Sequence, residues 1–514
     1  MTHWIIAPVI LPAILAPFII LAARYHIGIQ RVFSVAGVSM LVAIATGLAW
    51  QASDGTITLY QLGDWAAPFG IVLVADRLST TMVLLTAVLA LFVLLYAIGS
   101  QWDDRGRHFH ALFQFQLMGI MGAFLTGDLF NLFVFFEVLL IASYGLMTHS
   151  GGNTRLRAGV QYVLFNLIGS TLFLFALGSI YAETGTLNMA DLAQRVTAVD
   201  PSETVGIRVA AVLLLLVFAI KAALVPLHFW LPSSYAEAPA PVAALFAIMT
   251  KVGAYAIIRV YTMVFPPDLG VTSGLHDTWL VWAALLSVGL GALGVLAARK
   301  LDRLVTFAVI GSMGMVMVTI SLFTPSSISA ALYYIIHSTL AAAALFLIAD
   351  LVRAGRADLR LLPMPAIAGA VLTSALFFAA AIAMAGLPPL SGFVGKLLVL
   401  DASFQTSAAV WVFAVVLVAS LVNVVGFARA GSVLFWKAKS IERAEDEPLP
   451  AAPAALSYVA VGGLLTLIAA HTAFAGPIHG YMTATAQQLF APEPYISTVL
   501  DKPGKLSKPK QEGN

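Results

Sequence analysis

Four ionisable side chains, Glu137, Lys221, Lys251 and Lys396, stand inside long apolar runs of this 514-residue chain. A charged residue at the centre of a bilayer costs about 2.5–3.5 kcal/mol on insertion scales, so four together cost on the order of 10 kcal/mol unless they are paired or hydrated. One glutamate cannot neutralise three lysines. The excess positive charge requires water, neutral amines, or protons that come and go. Desolvation favours the neutral form of a lysine and a nearby carboxylate favours the charged form, so moving or protonating the carboxylate makes a lysine release or take up a proton. Static ion pairs that fix helix packing would account for one Glu and one Lys. For the set as a whole, a switchable proton relay is the better reading. His337 falls between Lys251 and Lys396 in chain order, where a neutral imidazole can pass a proton. His228 and Glu237 flank the end of the apolar run that holds Lys221, and are candidates for proton uptake.

Proline placement singles out two of these lysines again. Lys221 lies shortly before Pro226, and Lys396 shortly after Pro388 and Pro389 in the break Gly386-Leu387-Pro388-Pro389. Proline removes a backbone donor and frees carbonyls, and irregular backbone survives at membrane depth only where it lines a cavity or is buried in protein. Pro226, Pro388 and Pro389 are therefore read as helix breaks beside a polar path.

Positioning such residues is the task of a membrane fold. Sixty per cent of the residues are hydrophobic and only 10% charged, a composition outside the range of water-soluble domains. The net charge of +2 offers no nucleic-acid surface, and the absence of cysteine excludes disulfides, thiolate metal sites and cysteine-held iron–sulfur clusters. No G-x-x-x-x-G-K-[ST] loop, His-Glu-x-x-His helix or nucleophile elbow occurs, and the histidines are not paired for haem. The expectation is a secondary transporter rather than an enzyme, with no cofactor, no metal and no catalytic residue.

At about 20 apolar residues per crossing, the chain is predicted to be all-α and integral to the membrane, with about fourteen transmembrane helices. They span residues 4–22, 32–50, 76–98, 110–126, 129–148, 158–182, 207–230, 240–263, 278–298, 303–323, 328–351, 366–404 as one broken element, 409–435 and 455–474. The first is read as a membrane helix, since it has no basic residue ahead of it and carries Pro8, Pro12 and Pro17. Basic residues such as Arg105, Arg155, Lys300 and Arg356 follow the odd-numbered crossings, whereas acidic ones such as Asp54, Glu183 and Asp268 follow the even-numbered ones. By the positive-inside rule both termini face outward. Asp128, His110 and Asp350 are read as boundary residues, the last near Arg353. The tail from about Gly476, with Lys502, Lys505, Lys508 and Lys510, is read as a loosely ordered polar extension. Crossings 7 and 12 both carry a lysine and a break, and their odd separation reverses direction across the membrane, as an inverted repeat requires.

The stretches Gly127-Asp128-Leu129-Phe130-Asn131-Leu132-Phe133-Val134-Phe135-Phe136-Glu137, Lys221-Ala222-Ala223-Leu224-Val225-Pro226-Leu227-His228-Phe229-Trp230-Leu231-Pro232, Glu237-Ala238-Pro239-Ala240-Pro241-Val242, Lys251-Val252-Gly253-Ala254-Tyr255 and Gly386-Leu387-Pro388-Pro389-Leu390-Ser391-Gly392-Phe393 resemble the antiporter-like subunits shared by Mrp-type cation/proton antiporters and respiratory complex I. The length and the lysine at 396 resemble the D-type members of the Mrp group. The resemblance implies two inverted five-helix repeats, with broken helices at crossings 7 and 12. It divides the chain into N-terminal helices (1–109), an antiporter-like core (110–435), and a last helix with its tail (436–514). It further implies a carboxylate–lysine pair at Glu137 and Lys221, a bridging lysine at 251, a histidine at 337 and a terminal lysine at 396. Partners implied are A- and C-type antiporter subunits, with protons and Na+ or K+ as cargo in a bacterial inner membrane, for pH and cation homeostasis. Two positions depart from the pattern: Ala342 replaces a common lysine, and Ser233-Ser234-Tyr235 replaces a stretch that usually holds a histidine. The alternatives are a proton-pumping subunit of a complex I-like NADH:quinone oxidoreductase or membrane hydrogenase, and a non-transporting scaffold.

Overall fold

The computed structural model describes residues 2–199, 204–276, 279–441 and 452–504. Lys505, Lys508 and Lys510 therefore lie outside the described residues. In lipid each backbone polar group must find a partner within its own segment, and the apolar runs accordingly fold as helices. The first part comprises α1 (Ala7–Ala22), α2 (Ile27–Ala52), a short antiparallel hairpin of β1 (Thr58–Gln61) and β2 (Val72–Ala75), and α3 (Arg77–Gly99). Next come α4 (Phe109–Leu125), α5 (Leu129–Met147), α6 (Asn153–Thr184), the short α7 (Met189–Thr197), α8 (Val205–Lys221), α9 (Trp230–Glu237), α10 (Ala240–Phe246) and α11 (Met249–Met263). The second half runs through α12 (Trp279–Ala297), α13 (Leu301–Ile320), α14 (Pro325–Arg356), α15 (Ala370–Ala385), α16 (Ser391–Ser403) and α17 (Ala409–Gly431), and the chain closes with α18 (Ala455–Ala473), α19 (Ala475–Leu489) and α20 (Glu493–Leu500).

Among the described residues, ten helical stretches are long and apolar enough to cross a membrane, and α1, α4 and α15 are shorter apolar helices. The span formed by α10 and α11 is buried over 100% of its most apolar window and α14 over 94%, against 39% for α6. The two innermost elements are thus the carriers of Lys251 and His337, so neither residue faces lipid.

The helix ends show why the chain turns where it does. Asp76 caps α3 by accepting from Ser79 N at 2.8 Å, and Asp128 caps α5 by accepting from Asn131 N at 2.8 Å. Each such cap satisfies a donor that the first helical turn leaves free. Extended backbone before α5 bridges the segment after α6, at Asp128 and Asn188; likewise the backbone before α13 bridges the segment after α14, at Lys300 and Arg360. The two bridges close loops of equal length in chain order, with the same element pattern around each, as two copies of one helical unit would.

Several expectations are corrected. The tail from Gly476 is not a loose extension as far as it is described: α19 and α20 pack back on the body, burying Met482, Leu489, Tyr495 and Val499. These side chains recur at helical spacing, which supplies a face to bury. Gln488 donates to Gly55 O at 2.9 Å, and Lys502 Nζ to Leu59 O at 3.2 Å, tying this region to the hairpin. The hairpin and α7 are additions to the expected helices: both are too short to register as crossings, although Met189, Leu192, Ala193 and Val196 of α7 recur at helical spacing and are buried. Asp350 accepts from Trp102 Nε1 at 2.8 Å and Tyr96 Oη at 3.1 Å, while Arg353 reaches Asp302 instead at 3.4 Å. His110, in the first turn of α4, is fully buried against Asp103 at 3.1 Å.

Candidate functional site

Three interruptions of helical backbone organise the site. Between α8 and α9 the chain leaves helical geometry around Pro226, and Lys221 is the last residue of α8. Between α15 and α16 it does so around Pro388 and Pro389, and Lys396 lies in α16. These two breaks fall where the prolines place them. A third has no counterpart in the sequence reading: α10 ends at Phe246 and α11 starts at Met249, with Ala247 N and Ile248 N bonding three residues back, to Ala244 O and Leu245 O. Lys251 lies within the first turn of α11. No proline marks that point, so the sequence carries no sign of it.

The surroundings of the lysines differ. Lys221 Nζ donates to Asn166 Oδ1 of α6 at 3.1 Å and lies 5.9 Å from the centroid of the Phe136 ring. Glu137, half-buried on α5, accepts a hydrogen bond from the hydroxyl of Ser170, also on α6. Among the described residues, Glu137 and Lys221 make no ion pair with each other. Each is held instead by one member of an i,i+4 pair on a third helix. Lys251 is fully buried, and its Nζ has no hydrogen-bond partner among the described residues. Burying such a group as a charge is costly, and a water or a neutral amine removes the cost.

In the second half His337 of α14 is fully buried, with Nδ1 2.9 Å from Ser391 Oγ at the start of α16. Lys396 Nζ donates to Ala385 O at 2.6 Å, a carbonyl freed by the break, and to Ser420 Oγ of α17 at 2.8 Å. Gly386 makes this approach possible: its φ is +76°, and a Cβ there would lie 2.6 Å from Lys396 Cδ. Beside Lys396 is a cavity of about 10 Å³, lined in part by Ser420, Asn423, Tyr334 and Ser312. That is room for about one water among polar partners.

The candidate uptake residues lie apart from one another. His228 is buried in the break after α8, and Glu237 ends α9 with its carboxylate 3.9 Å from Arg303 and its carbonyl accepting from Arg155 at 2.9 Å. Ala342 is fully buried in an alanine run of α14, so no side chain there replaces the family's common lysine.

Sequence reasoning misses Asn166, Ser170, Ser420 and Asn423. A polar pair at helical spacing inside an apolar run is the available signal, and ionisable residues draw attention away from it. Arg259 is missed too. It is a buried residue of α11 in a two-point ion pair with Asp76, at 2.6 and 2.8 Å.

Interrupted membrane helices with a buried basic residue at each interruption are the architecture of a polytopic transport protein. The chain belongs to the family described as NADH:quinone oxidoreductase/Mrp antiporter, TM, whose profile matches residues 126–422. It is 38% identical to the D subunit of a probable K(+)/H(+) antiporter of Rhizobium meliloti (strain 1021), over 98% of each chain. It is also 38% identical to the D subunit of the Na(+)/H(+) antiporter of Bacillus subtilis (strain 168), over 97% of this chain and 100% of that one. Among solved structures, a chain of the Mrp complex from Dietzia sp. DQ12-45-1b matches with a TM-score of 0.88 at 27% identity, covering 97% of this chain and 100% of that one.

Proposed function

We propose that this chain is a D-type member of a multisubunit monovalent cation/proton antiporter, and that it conducts the protons. The carrying observation is the set of three buried lysines, each beside a helix interruption and none in an ion pair among the described residues. Protons pass along Glu137, Lys221, Lys251, His337 and Lys396. Ser391 orients the imidazole, and the water-sized cavity beside Lys396 hydrates the end of the line. His228 and Glu237 serve uptake near the first break. The exchanged cation is Na+ or K+, as the names of the two similar antiporter chains suggest, and A- and C-type subunits are the neighbours.

The chain crosses the bacterial inner membrane about fourteen times. The ten long spans, the three shorter apolar helices and the α8–α9 pair support that count. Both termini lie outside, a reading supported by the alternation of basic and acidic loops. The functional core is 110–435, preceded by the helices of 1–109 and followed by 436–514; the stretch matched by the family profile supports this division.

The test is cation-dependent proton movement in inside-out vesicles that carry the chain with its neighbouring subunits, comparing wild type with Lys221→Ala and Glu137→Ala at matched subunit levels. Loss of the response to added Na+ or K+ in an assembled complex supports the relay. Retained activity excludes this pair from the path and favours a scaffold role.

A further inference from the structure

We infer that Asn166 and Ser170 of α6 form a two-point latch that holds Glu137 and Lys221 apart, and that opening it is the step by which the pair forms. The inference rests on the proton-relay reading above. The geometry carries it. Both residues are nearly fully buried, and each spends a side-chain hydrogen bond on one partner: Asn166 Oδ1 on Lys221 Nζ at 3.1 Å, and the Ser170 hydroxyl on Glu137 Oε1. Residues i and i+4 lie on one helical face about 5–6 Å apart between Cβ atoms. The ammonium and the carboxylate are thus parked one helical turn from each other on a shared rail.

The approach is open along that rail. Gly169 presents no side chain there; a Cβ added to it would already touch Lys221 Nζ and Cε, at 3.6 Å. The lysine is near the carboxylate's helix, since its Nζ lies over the ring of Phe136, the neighbour of Glu137. In this scheme rotation about the lysine stem carries Nζ along α6 from the amide toward the carboxylate. In the parked state Lys221 faces a neutral acceptor. In the paired state it faces a charge, which favours the protonated amine. Asn166 and Ser170 are positioning residues: they set which of the two states the lysine occupies, and they carry no proton in this scheme.

The latch has a balance that a simple packing role lacks. A neutral amide competes weakly with a carboxylate for an ammonium, so the parked state persists only while Ser170 also satisfies Glu137. Removing either point favours the paired state. Replacing the amide by a carboxylate does the reverse and fixes the lysine where it is parked.

The experiment uses vesicles holding the assembled complex, with Ser170→Ala, Ser170→Thr, Asn166→Ala and Asn166→Asp measured beside Lys221→Ala. Cation-driven proton flux should fall about tenfold in Ser170→Ala and Asn166→Ala, the equivalent of one hydrogen bond to a charged group. It should stay near wild type in Ser170→Thr, which keeps the hydroxyl, and fall furthest in Asn166→Asp. The Glu137 carboxyl band in infrared difference spectra, assigned by its loss in Glu137→Gln, should move in Ser170→Ala and hold in Ser170→Thr. Equal loss in Ser170→Thr and Ser170→Ala, or full flux in both alanine variants, overturns the latch. Because Lys221→Ala is measured in the same vesicles, failure of the relay itself is separable: there, activity survives loss of the lysine.

Discussion

The Arg259–Asp76 pair locks the helix that carries Lys251 to the start of α3, and removing one partner should cost far more than removing both. Both side chains are almost fully buried, at 4% and 2% exposure, with contacts of 2.6 and 2.8 Å. Breaking a buried pair by deleting one member costs about 3–5 kcal/mol, because the other charge is left uncompensated. The two deletions are not equivalent here. Arg259→Met strands a carboxylate that still accepts from Ser79 N at 2.8 Å, so the lower end, about 3 kcal/mol, is expected. Asp76→Ala also removes the α3 cap, worth about 1 kcal/mol. Among the described residues it leaves the guanidinium Tyr255, through Oη at 3.4 Å and the ring face at 5.7 Å, and the face of Tyr495 at 5.2 Å, giving an expected loss of about 5 kcal/mol. The double variant retains mainly the lost cap, so the cycle should show a coupling of several kcal/mol. Unfolding in mixed micelles, followed by helical circular dichroism with increasing SDS, measures all four corners. If the double variant loses the sum of the single losses, the pair is not coupled and the reasoning fails.

Lys251→Met should separate function from stability most sharply. It removes a buried amine that has no hydrogen-bond partner among the described residues, so SDS resistance should hold or rise by up to about 3 kcal/mol while cation-driven proton flux is lost. Gly253→Ala puts a Cβ 2.7 Å from Ala222 N and 2.9 Å from Phe218 O, backbone atoms that cannot step aside. The same unfolding assay should show a loss of about 1–3 kcal/mol, with flux reduced because α11 is pushed away from α8. Asp103 accepts from Arg31 Nε at 2.6 Å and from His110. Burial pushes its carboxyl up, but the bonds from His110 and Arg31 outweigh that and hold it below the usual carboxylate range. A depressed carboxyl stabilises the fold above its unfolded value, near about pH 4, and loses that contribution as pH falls through the folded value. The stability gap between wild type and Asp103→Asn should therefore shrink as pH falls below about 4; a gap that stays unchanged there would contradict this.

How much of this is legible in the sequence depends on whether a feature leaves a composition signal. The long helices and the breaks at Pro226, Pro388 and Pro389 do, because apolar length and missing backbone donors are written in residue type. The interruption at Ala247 and Ile248 does not: alanine and isoleucine are ordinary helix residues, and the break comes from how α10 and α11 meet their neighbours. The Glu137–Lys221 neighbourhood is legible as two charges, but the uncharged Asn166 and Ser170 on the helix between them draw no attention beside the ionisable residues. The α19–α20 region misleads for the opposite reason. Its lysines and prolines suggest solvent, whereas the sparse apolar positions among them line up on one face. Arg259 escapes notice because it sits toward the end of its span, where arginine commonly reaches the interface.

The clasp between the hairpin and the α19–α20 region also sets an order of events. Gln61 donates to Lys502 O at 3.0 Å and Gln488 to Gly55 O at 2.9 Å, contacts between segments 441 and 433 residues apart in order of synthesis. Tyr495 of α20 likewise lies over Arg259, beside the ring of Tyr255. A ribosome must therefore deliver α20 before β1 and β2 gain their lid and the Asp76 pair gains its Tyr495 cover. Quality control that samples nascent membrane proteins would meet this chain with its outer seam open. Shortening the chain ahead of α20 should be felt first as faster turnover of the newly made protein rather than as altered transport by the copies that survive.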